Sequence, residues 1–95
     1  MKLWLDDLRP APKDFAHARS VNEAIAFVKE WESEGSLIEL LDLDYDLGIY
    51  EKDGGNGQDF LEWLLYRESF YPVLVHSTDS TATANMEGLI AYFWE

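Results

Sequence analysis

Short apolar segments alternate with amphipathic segments along this chain, and that alternation limits its fold more than any other feature. Four apolar segments are strand candidates: KLWLD at 2–6, FAHAR at 15–19, LIELLDLD at 37–44 and PVLVHS at 72–77. Helical periodicity follows the last three of them. Strands that alternate with helices form βαβ units. We therefore predict an α/β fold in one domain, residues 1–95, with a small, mainly parallel four-stranded sheet, three helices, and helices on both faces of the sheet.

The connection between the first two strand candidates is short for a parallel pair. The segment RPAPKD contains two prolines and reads as a loop, not as a helix. Parallel neighbours usually need about a dozen connecting residues or more. Either this loop runs back along the sheet in an extended form, or the first two strands pair as a hairpin.

Capping residues indicate where the helices begin and end. Ser20 is an N-cap candidate with Glu23 three residues on, and Gly35 ends the first helix. Asn56 is the N-cap candidate of the second helix, and the third is predicted from about residue 83. The residues predicted to be buried in the last helix are Met86, Leu89, Ile90 and Phe93.

Composition and charge exclude several classes of protein. The chain has no cysteine, which excludes disulfides and thiolate metal sites. Apolar runs are too short to cross a membrane and the first residues lack a signal peptide's apolar core, so we expect a cytoplasmic protein with no membrane partner. The formal charge of −12 argues against direct binding to nucleic acid backbones. Such a charge is compatible with an acidic metal site, with mimicry of nucleic acid, or with an acidic surface that only keeps the protein soluble. We expect the protein to be a monomer or a weak homodimer.

Polar side chains follow three of the strand candidates at their carboxyl ends. These strand-end residues are Asp6, Asp7, Asp44, Asp46, His76, Ser77 and Thr78. Ligands of open parallel sheets bind at that edge. Carboxylate oxygens are the ligands that Mg²⁺ or Mn²⁺ prefers. We therefore predict a divalent metal site whose ligands are Asp6, Asp7, Asp44 and Asp46.

Three aspartates, Asp42, Asp44 and Asp46, alternate within the segment LLDLDYDLG at residues 40–48. Alternate residues of a strand point to the same side, so three ionised carboxylates would repel one another there. Either a cation stabilises them, or the strand ends before the last of them. Repulsion also predicts that Asp6, Asp7 or Asp44 has a raised pKa when no cation is bound.

Several motifs together resemble a known family. LWLDDLRPAP, DYDLG, GQDFLEWL and HSTDSTATANMEGL are similar to the receiver-like family named for cyclic-phosphate processing, which is related to the receiver domains of response regulators. The resemblance runs the length of the chain. It implies a flavodoxin-like, receiver-like sheet that lacks the first helix and the fifth strand–helix unit. It also implies metal-dependent binding or processing of a small phosphate-containing ligand or nucleotide, such as a cyclic phosphodiester.

The resemblance assigns roles to the acidic residues by position. Asp6 and Asp7 match the acidic pair of a receiver, and Asp44 matches its phospho-acceptor aspartate. Asp46 matches the residue whose backbone carbonyl helps to hold the metal. These matches agree with the metal ligands predicted from the strand ends.

The resemblance also implies a set of catalytic and phosphate-binding residues. Ser77 matches the hydroxyl residue of receivers, and His76 and Asn85 match positions peculiar to the cyclic-phosphate processing family. The predicted catalytic residues are Asp44, His76 and Ser77, with His76 as the acid for a leaving oxygen. The predicted phosphate-binding residues are Ser77, Thr78 and Asn85.

One departure from the receiver pattern concerns its cations. A receiver uses a lysine after a further strand to neutralise its acyl phosphate, and this sequence has no lysine after Lys52. We therefore expect chemistry on a phosphodiester in preference to a phosphorylation switch. Two alternatives stay open: a non-catalytic signalling or interaction module derived from a receiver, and an acidic protein that binds a nucleic-acid-binding partner.

Overall fold

The computed structural model describes residues 1–94 and confirms the predicted order of strands and helices. The strands are β1 (Lys2–Leu5), β2 (Ala16–Ala18), β3 (Leu40–Leu43) and β4 (Val73–Val75). The helices are α1 (Val21–Ser33), α2 (Gly57–Tyr66) and α3 (Ser80–Phe93), and a short 3₁₀ helix, Gly48–Lys52, lies between β3 and α2. Within this part of the chain no helix combines the length and the apolar character that crossing a bilayer requires.

The four strands form one parallel sheet in the order β2-β1-β3-β4. β1 and β3 are adjacent at its centre, and their carboxyl ends share one edge. Leu3 of β1 pairs with Ala16 of β2 on one side and with Leu41 of β3 on the other. The loop of residues 6–15 therefore runs back along the sheet, and the first two strands are not a hairpin.

The helices pack against one face of this sheet. Leu3, Leu5, Leu41 and Leu43 are fully buried and form a single core with the apolar stripes of all three helices. The crossovers from β2 to β3 and from β3 to β4 step in the same direction across the sheet. Right-handed connections therefore place α1 and α2 on the same side. The prediction of helices on both faces is wrong.

The opposite face is covered in part by the loop that follows β1. Trp4, Asp42 and Leu74 lie on this face, in register across three strands. Phe15 packs edge-on against Trp4, with ring centroids 6.2 Å apart. The Trp4 indole also donates a hydrogen bond to the Arg9 carbonyl, at 3.1 Å. A proline-containing loop therefore occupies the position that a helix occupies in a three-layer fold, in which helices cover both faces of the sheet.

The predicted caps of the first two helices are confirmed. The Ser20 hydroxyl accepts a hydrogen bond from the backbone N–H of Glu23, at 3.1 Å. The Glu23 carboxylate returns its bond to the N–H of Arg19 instead of to Ser20. Asn56 and Asp59 form a complete capping box at the start of α2. These caps fix the points at which the chain leaves the loops at the sheet edge.

The third helix begins earlier than predicted. It starts at Ser80 because Asp79 caps it, accepting the backbone N–H of Ala82 at 2.9 Å. Met86 is buried as predicted, whereas Phe93 is 41% exposed. Because α3 begins earlier than predicted, each of its residues lies further from the N-terminus of the helix than the sequence indicated.

Candidate functional site

The three alternating aspartates have three different surroundings. β3 ends at Leu43, so Asp42 is the only one of them within the strand. Asp44 is buried just beyond the strand, and Asp46 is exposed in the following loop. The expectation that the strand ends before the last aspartate is confirmed, and the three carboxylates are not stacked on one face.

A cavity of about 520 Å³ lies at the carboxyl ends of the central strands. The residues that line it are Asp6, Asp7, Leu8, Arg9, Asp44, Asp46, Gly48 and Thr78. The cavity therefore brings together the four aspartates predicted as metal ligands and one residue predicted to bind phosphate. Gly48 leaves room beside Asp7, because a Cβ atom at that position would lie 2.8 Å from Asp7 Oδ2.

Asp6 is buried at the end of β1 and uses both carboxylate oxygens. Its Oδ1 accepts the backbone N–H groups of Leu8 and Arg9, at 2.9 and 2.8 Å. Its Oδ2 lies 2.9 Å from Arg9 Nε and 3.0 Å from His76 Nε2. Burial favours a higher pKa for Asp6, but these hydrogen bonds and the Arg9 charge together lower that pKa. Asp6 is thus an ionised carboxylate whose acceptor sites are filled.

His76 is held between two carboxylates on the open face of the sheet. Its Nδ1 lies 2.6 Å from Asp42 Oδ1, and its Nε2 lies 3.0 Å from Asp6 Oδ2. The ring stacks on Trp4, with centroids 3.7 Å apart and planes inclined by 4°. A neutral imidazole donates from one nitrogen only, so both contacts are hydrogen bonds when the ring carries two protons. His76 is fixed in this way and does not line the cavity.

Arg9 places a cation among the aspartates of the site. Its Nε contacts Asp6, its Nη2 donates to the backbone carbonyl of His76 at 2.9 Å, and Nη2 lies 3.4 Å from Asp44 Oδ2. The guanidinium therefore offsets two carboxylates in the region where the sequence predicted a metal ion. The sequence analysis gave Arg9 no role.

The pKa of Asp44 is shifted in the opposite direction to that of Asp6. Burial is the main cause of its raised pKa, and the negative charge of Asp6 adds to it. The hydrogen bond from the Tyr45 N–H, at 2.8 Å, and the Arg9 charge oppose this shift without cancelling it. Asp44 therefore has the raised pKa that was predicted for one of these aspartates, but burial contributes more to it than repulsion does.

The oxygen atoms of the cavity suit a hard divalent cation. Side-chain atoms of Asp6, Asp44 and His76 lie within 4.8 Å of one another. Asp6 and His76 also contact each other, with 3.0 Å between Oδ2 and Nε2. Carboxylates are the ligands that Mg²⁺ and Mn²⁺ prefer. Asp7 and Asp46 line the same cavity, so they add two carboxylates to the residues that could hold such an ion.

Ser77 and Asn85 lie outside the lining of the cavity. The Ser77 hydroxyl accepts the backbone N–H of Asp79 at 3.1 Å, and its carbonyl lies 3.3 Å from Thr83 Oγ1. Asn85 is exposed in the second turn of α3, because that helix begins earlier than predicted. Among the residues predicted to bind phosphate, Thr78 lines the cavity.

Sequence reasoning missed the pairing of Asp42 with His76 and the position of Arg9. One signal was available: Asp42 interrupts an apolar strand, and a carboxylate at such a place needs a partner. The identity of the partner depends on the register between β3 and β4, which places Leu74 beside Asp42 and His76 just beyond it. The position of Arg9 depends on the turn after β1, which brings the guanidinium back to Asp6.

Comparison with known families finds a match that covers most of the chain. A family model described as the cyclic-phosphate processing receiver domain matches residues 1–92. The matched range includes all four strands and every residue that lines the cavity. No curated protein and no solved structure matches the chain.

Proposed function

Since this chain belongs to the family of cyclic-phosphate processing receiver domains, we propose that its cavity binds and processes a phosphate ester. The substrate class is a cyclic phosphodiester, such as a cyclic nucleotide. The cavity carries the proposal, because it collects carboxylates from Asp7, Asp44 and Asp46, the guanidinium of Arg9 and the hydroxyl of Thr78. Such a set combines oxygen ligands for a cation with donors for a phosphate.

Hydrolysis of a cyclic phosphodiester needs a nucleophile, a proton acceptor and charge neutralisation. A bound Mg²⁺ or Mn²⁺ would polarise a phosphoryl oxygen. The oxygen of water bonds to phosphorus while one ester P–O bond breaks, and a proton passes from the water to the departing oxygen. Asp44, whose carboxylate lies at the cavity, is suited to accept the proton of the attacking water. The Thr78 hydroxyl is suited to donate to a phosphate oxygen.

The geometry supports a positioning role for His76. Its two nitrogens face Asp42 and Asp6, so it holds the carboxylate of Asp6, which in turn holds Arg9. Ser77 and Asn85 stay predicted phosphate-binding residues, and both lie outside the lining of the cavity.

A binding module without turnover is the second candidate. The observation that favours it is the pairing of Arg9 with both Asp6 and Asp44, which offsets two carboxylates of the site without a metal ion. A module of this kind binds a phosphate-containing ligand and releases it unchanged.

The first part of the test concerns the cation. Thermal unfolding is measured with and without millimolar Mg²⁺ or Mn²⁺, and an ion at a hundredfold excess over its Kd stabilises the native state by about 2.7 kcal/mol. Asp7→Asn should remove most of this gain, whereas Glu30→Gln, an exposed carboxylate of α1, should retain it. An unchanged melting temperature of the wild-type protein would contradict the cation site.

The second part of the test separates processing from binding. The protein is incubated with Mg²⁺ and a panel of 2′,3′-cyclic nucleotides and cyclic dinucleotides, and the products are separated by chromatography. Processing predicts hydrolysis that Asp44→Asn abolishes and Glu30→Gln preserves. Binding without hydrolysis favours the module, and the absence of both overturns the proposed function.

A further inference from the structure

Arg9 is the one basic residue among those described that line the cavity. We propose that Arg9 is the phosphate-binding cation of this site. The inference rests on the proposed function and adds to it the residue that recognises the anionic group of the ligand. The group that Arg9 recognises is the phosphate group of a phosphate ester.

Three hydrogen bonds hold Arg9 in one orientation, and two of them are made by its guanidinium. Its backbone N–H and its Nε both bond to the Asp6 carboxylate, at 2.8 and 2.9 Å. Its Nη2 donates to the His76 carbonyl at 2.9 Å. Asp6 is fixed in its turn by His76 Nε2. A side chain held in this way loses little conformational freedom when a ligand arrives, which favours binding.

One terminal nitrogen of the guanidinium, Nη1, is available to a ligand. Within residues 1–94, Arg9 donates through Nε and Nη2, and its Nη1 has no hydrogen-bond partner. The side chain is 44% exposed and lines the cavity. A phosphate oxygen accepts charge-assisted hydrogen bonds from guanidinium N–H groups such as those of Nη1.

The charges of the cavity make such a cation necessary. Apart from Arg9, the charged residues that line it are Asp6, Asp7, Asp44 and Asp46. These carboxylates repel an anionic ligand. Because Arg9 Nη2 lies 3.4 Å from Asp44 Oδ2, a phosphate held by Arg9 lies close to Asp44. Phosphate binding and the proposed chemistry thus meet at one place.

The inference predicts a loss of phosphate affinity in Arg9→Gln. Inorganic phosphate is titrated into the protein in the presence of Mg²⁺, with calorimetric detection. The substitution should weaken binding about 10- to 150-fold, equivalent to about 1.5–3 kcal/mol for charged hydrogen bonds. Arg9→Lys keeps the charge but not the planar guanidinium. Its phosphate affinity should lie between those of the wild type and Arg9→Gln. Arg19→Gln, at an exposed arginine outside the cavity lining, should bind as the wild type does.

The outcomes separate this inference from the proposed function. Equal phosphate affinities for the wild type and Arg9→Gln overturn the role of Arg9 and leave the proposed function standing. A wild-type protein that binds Mg²⁺ but no phosphate in this titration overturns the role of Arg9, while the hydrolysis assay still decides the proposed function. A wild type that shows neither binding nor hydrolysis overturns both.

A second measurement needs no substitution, because Arg9→Gln also removes contacts to Asp6. Phenylglyoxal modifies exposed arginines, and peptide mass spectrometry reports the rate at each of them. With Mg²⁺ present, phosphate should slow the modification of Arg9 several-fold and leave the rate at Arg19 unchanged. Equal rates at Arg9 with and without phosphate would overturn the inference.

Discussion

Gly57 offers a sharp test of how closely α2 approaches the site. It is the first residue of that helix, and its backbone N–H bonds to the Tyr45 carbonyl at 2.9 Å. A Cβ atom at this position would lie 1.8 Å from the Asp44 carbonyl oxygen and 3.0 Å from the Tyr45 Cα. Gly57→Ala must therefore push the start of the helix away from the segment that carries Asp44.

The expected cost of Gly57→Ala follows from three effects. Forcing a methyl group into a packed site costs about 1–3 kcal/mol, and weakening the hydrogen bond to Tyr45 costs about 1 kcal/mol. Alanine's better helix propensity returns less than about 1 kcal/mol. The net loss is about 1–4 kcal/mol, which lowers the melting temperature of a domain of this size by about 4–30 °C.

Gly88→Ala is the matched control within the same chain. Gly88 lies in α3, and an added Cβ would meet nothing within 4 Å. The same substitution there should stabilise the protein by about 0.5–1 kcal/mol. Urea unfolding followed by tryptophan fluorescence measures both variants. If Gly57→Ala is as stable as the wild type, the close approach of α2 to Asp44 is refuted.

Three further predictions concern the charge, the layers and the caps. Burial raises the pKa of Asp44 above the ordinary aspartate value of 3.8, so its ionisation disfavours folding. Asp44→Asn should therefore raise the melting temperature at pH 7, with a gain that shrinks as the pH falls towards 3.8. Unfolding in urea should show that Leu43→Ala, at a fully buried side chain, costs about 2–5 kcal/mol, and a small loss would contradict the single core. Leu74→Ala, at a side chain that is 56% exposed, should cost far less in the same assay. Asn56→Ala should cost about 1 kcal/mol through the lost cap of α2, and a calorimetric melting temperature equal to that of the wild type would refute that role.

The parts of the fold that sequence predicted are those that local patterns determine. Ser20 and Asn56 cap their helices because a side-chain oxygen satisfies backbone N–H groups only two or three residues away. The mainly parallel sheet of four strands followed from the alternation of apolar and amphipathic segments. Both kinds of inference use short-range chemistry or a single constraint on topology.

The parts that sequence did not predict depend on distant residues. His76 meets Asp42 and Asp6 only because β4 lies beside β3 in one register. The sheet face that carries Trp4 and Asp42 has no helix on it, because of the handedness of the crossovers and because a loop replaces a helix after β1. Periodicity reports that Leu41 and Leu43 are buried, but it does not report how many layers bury a sheet.

The central place of β1 also governs how the chain acquires its fold during synthesis. Lys2 pairs with Leu40, so β1 gains its inner partner only after the whole of α1 has been translated. Before then the nascent chain offers a two-stranded ribbon with an unpaired edge and with Leu3 and Leu5 uncovered by α2. Open edges and exposed apolar side chains are the features that lead to aggregation. Ribosome pausing ahead of β3 should therefore increase aggregation of this nascent chain, whereas pausing after α2 and β4 have emerged should not.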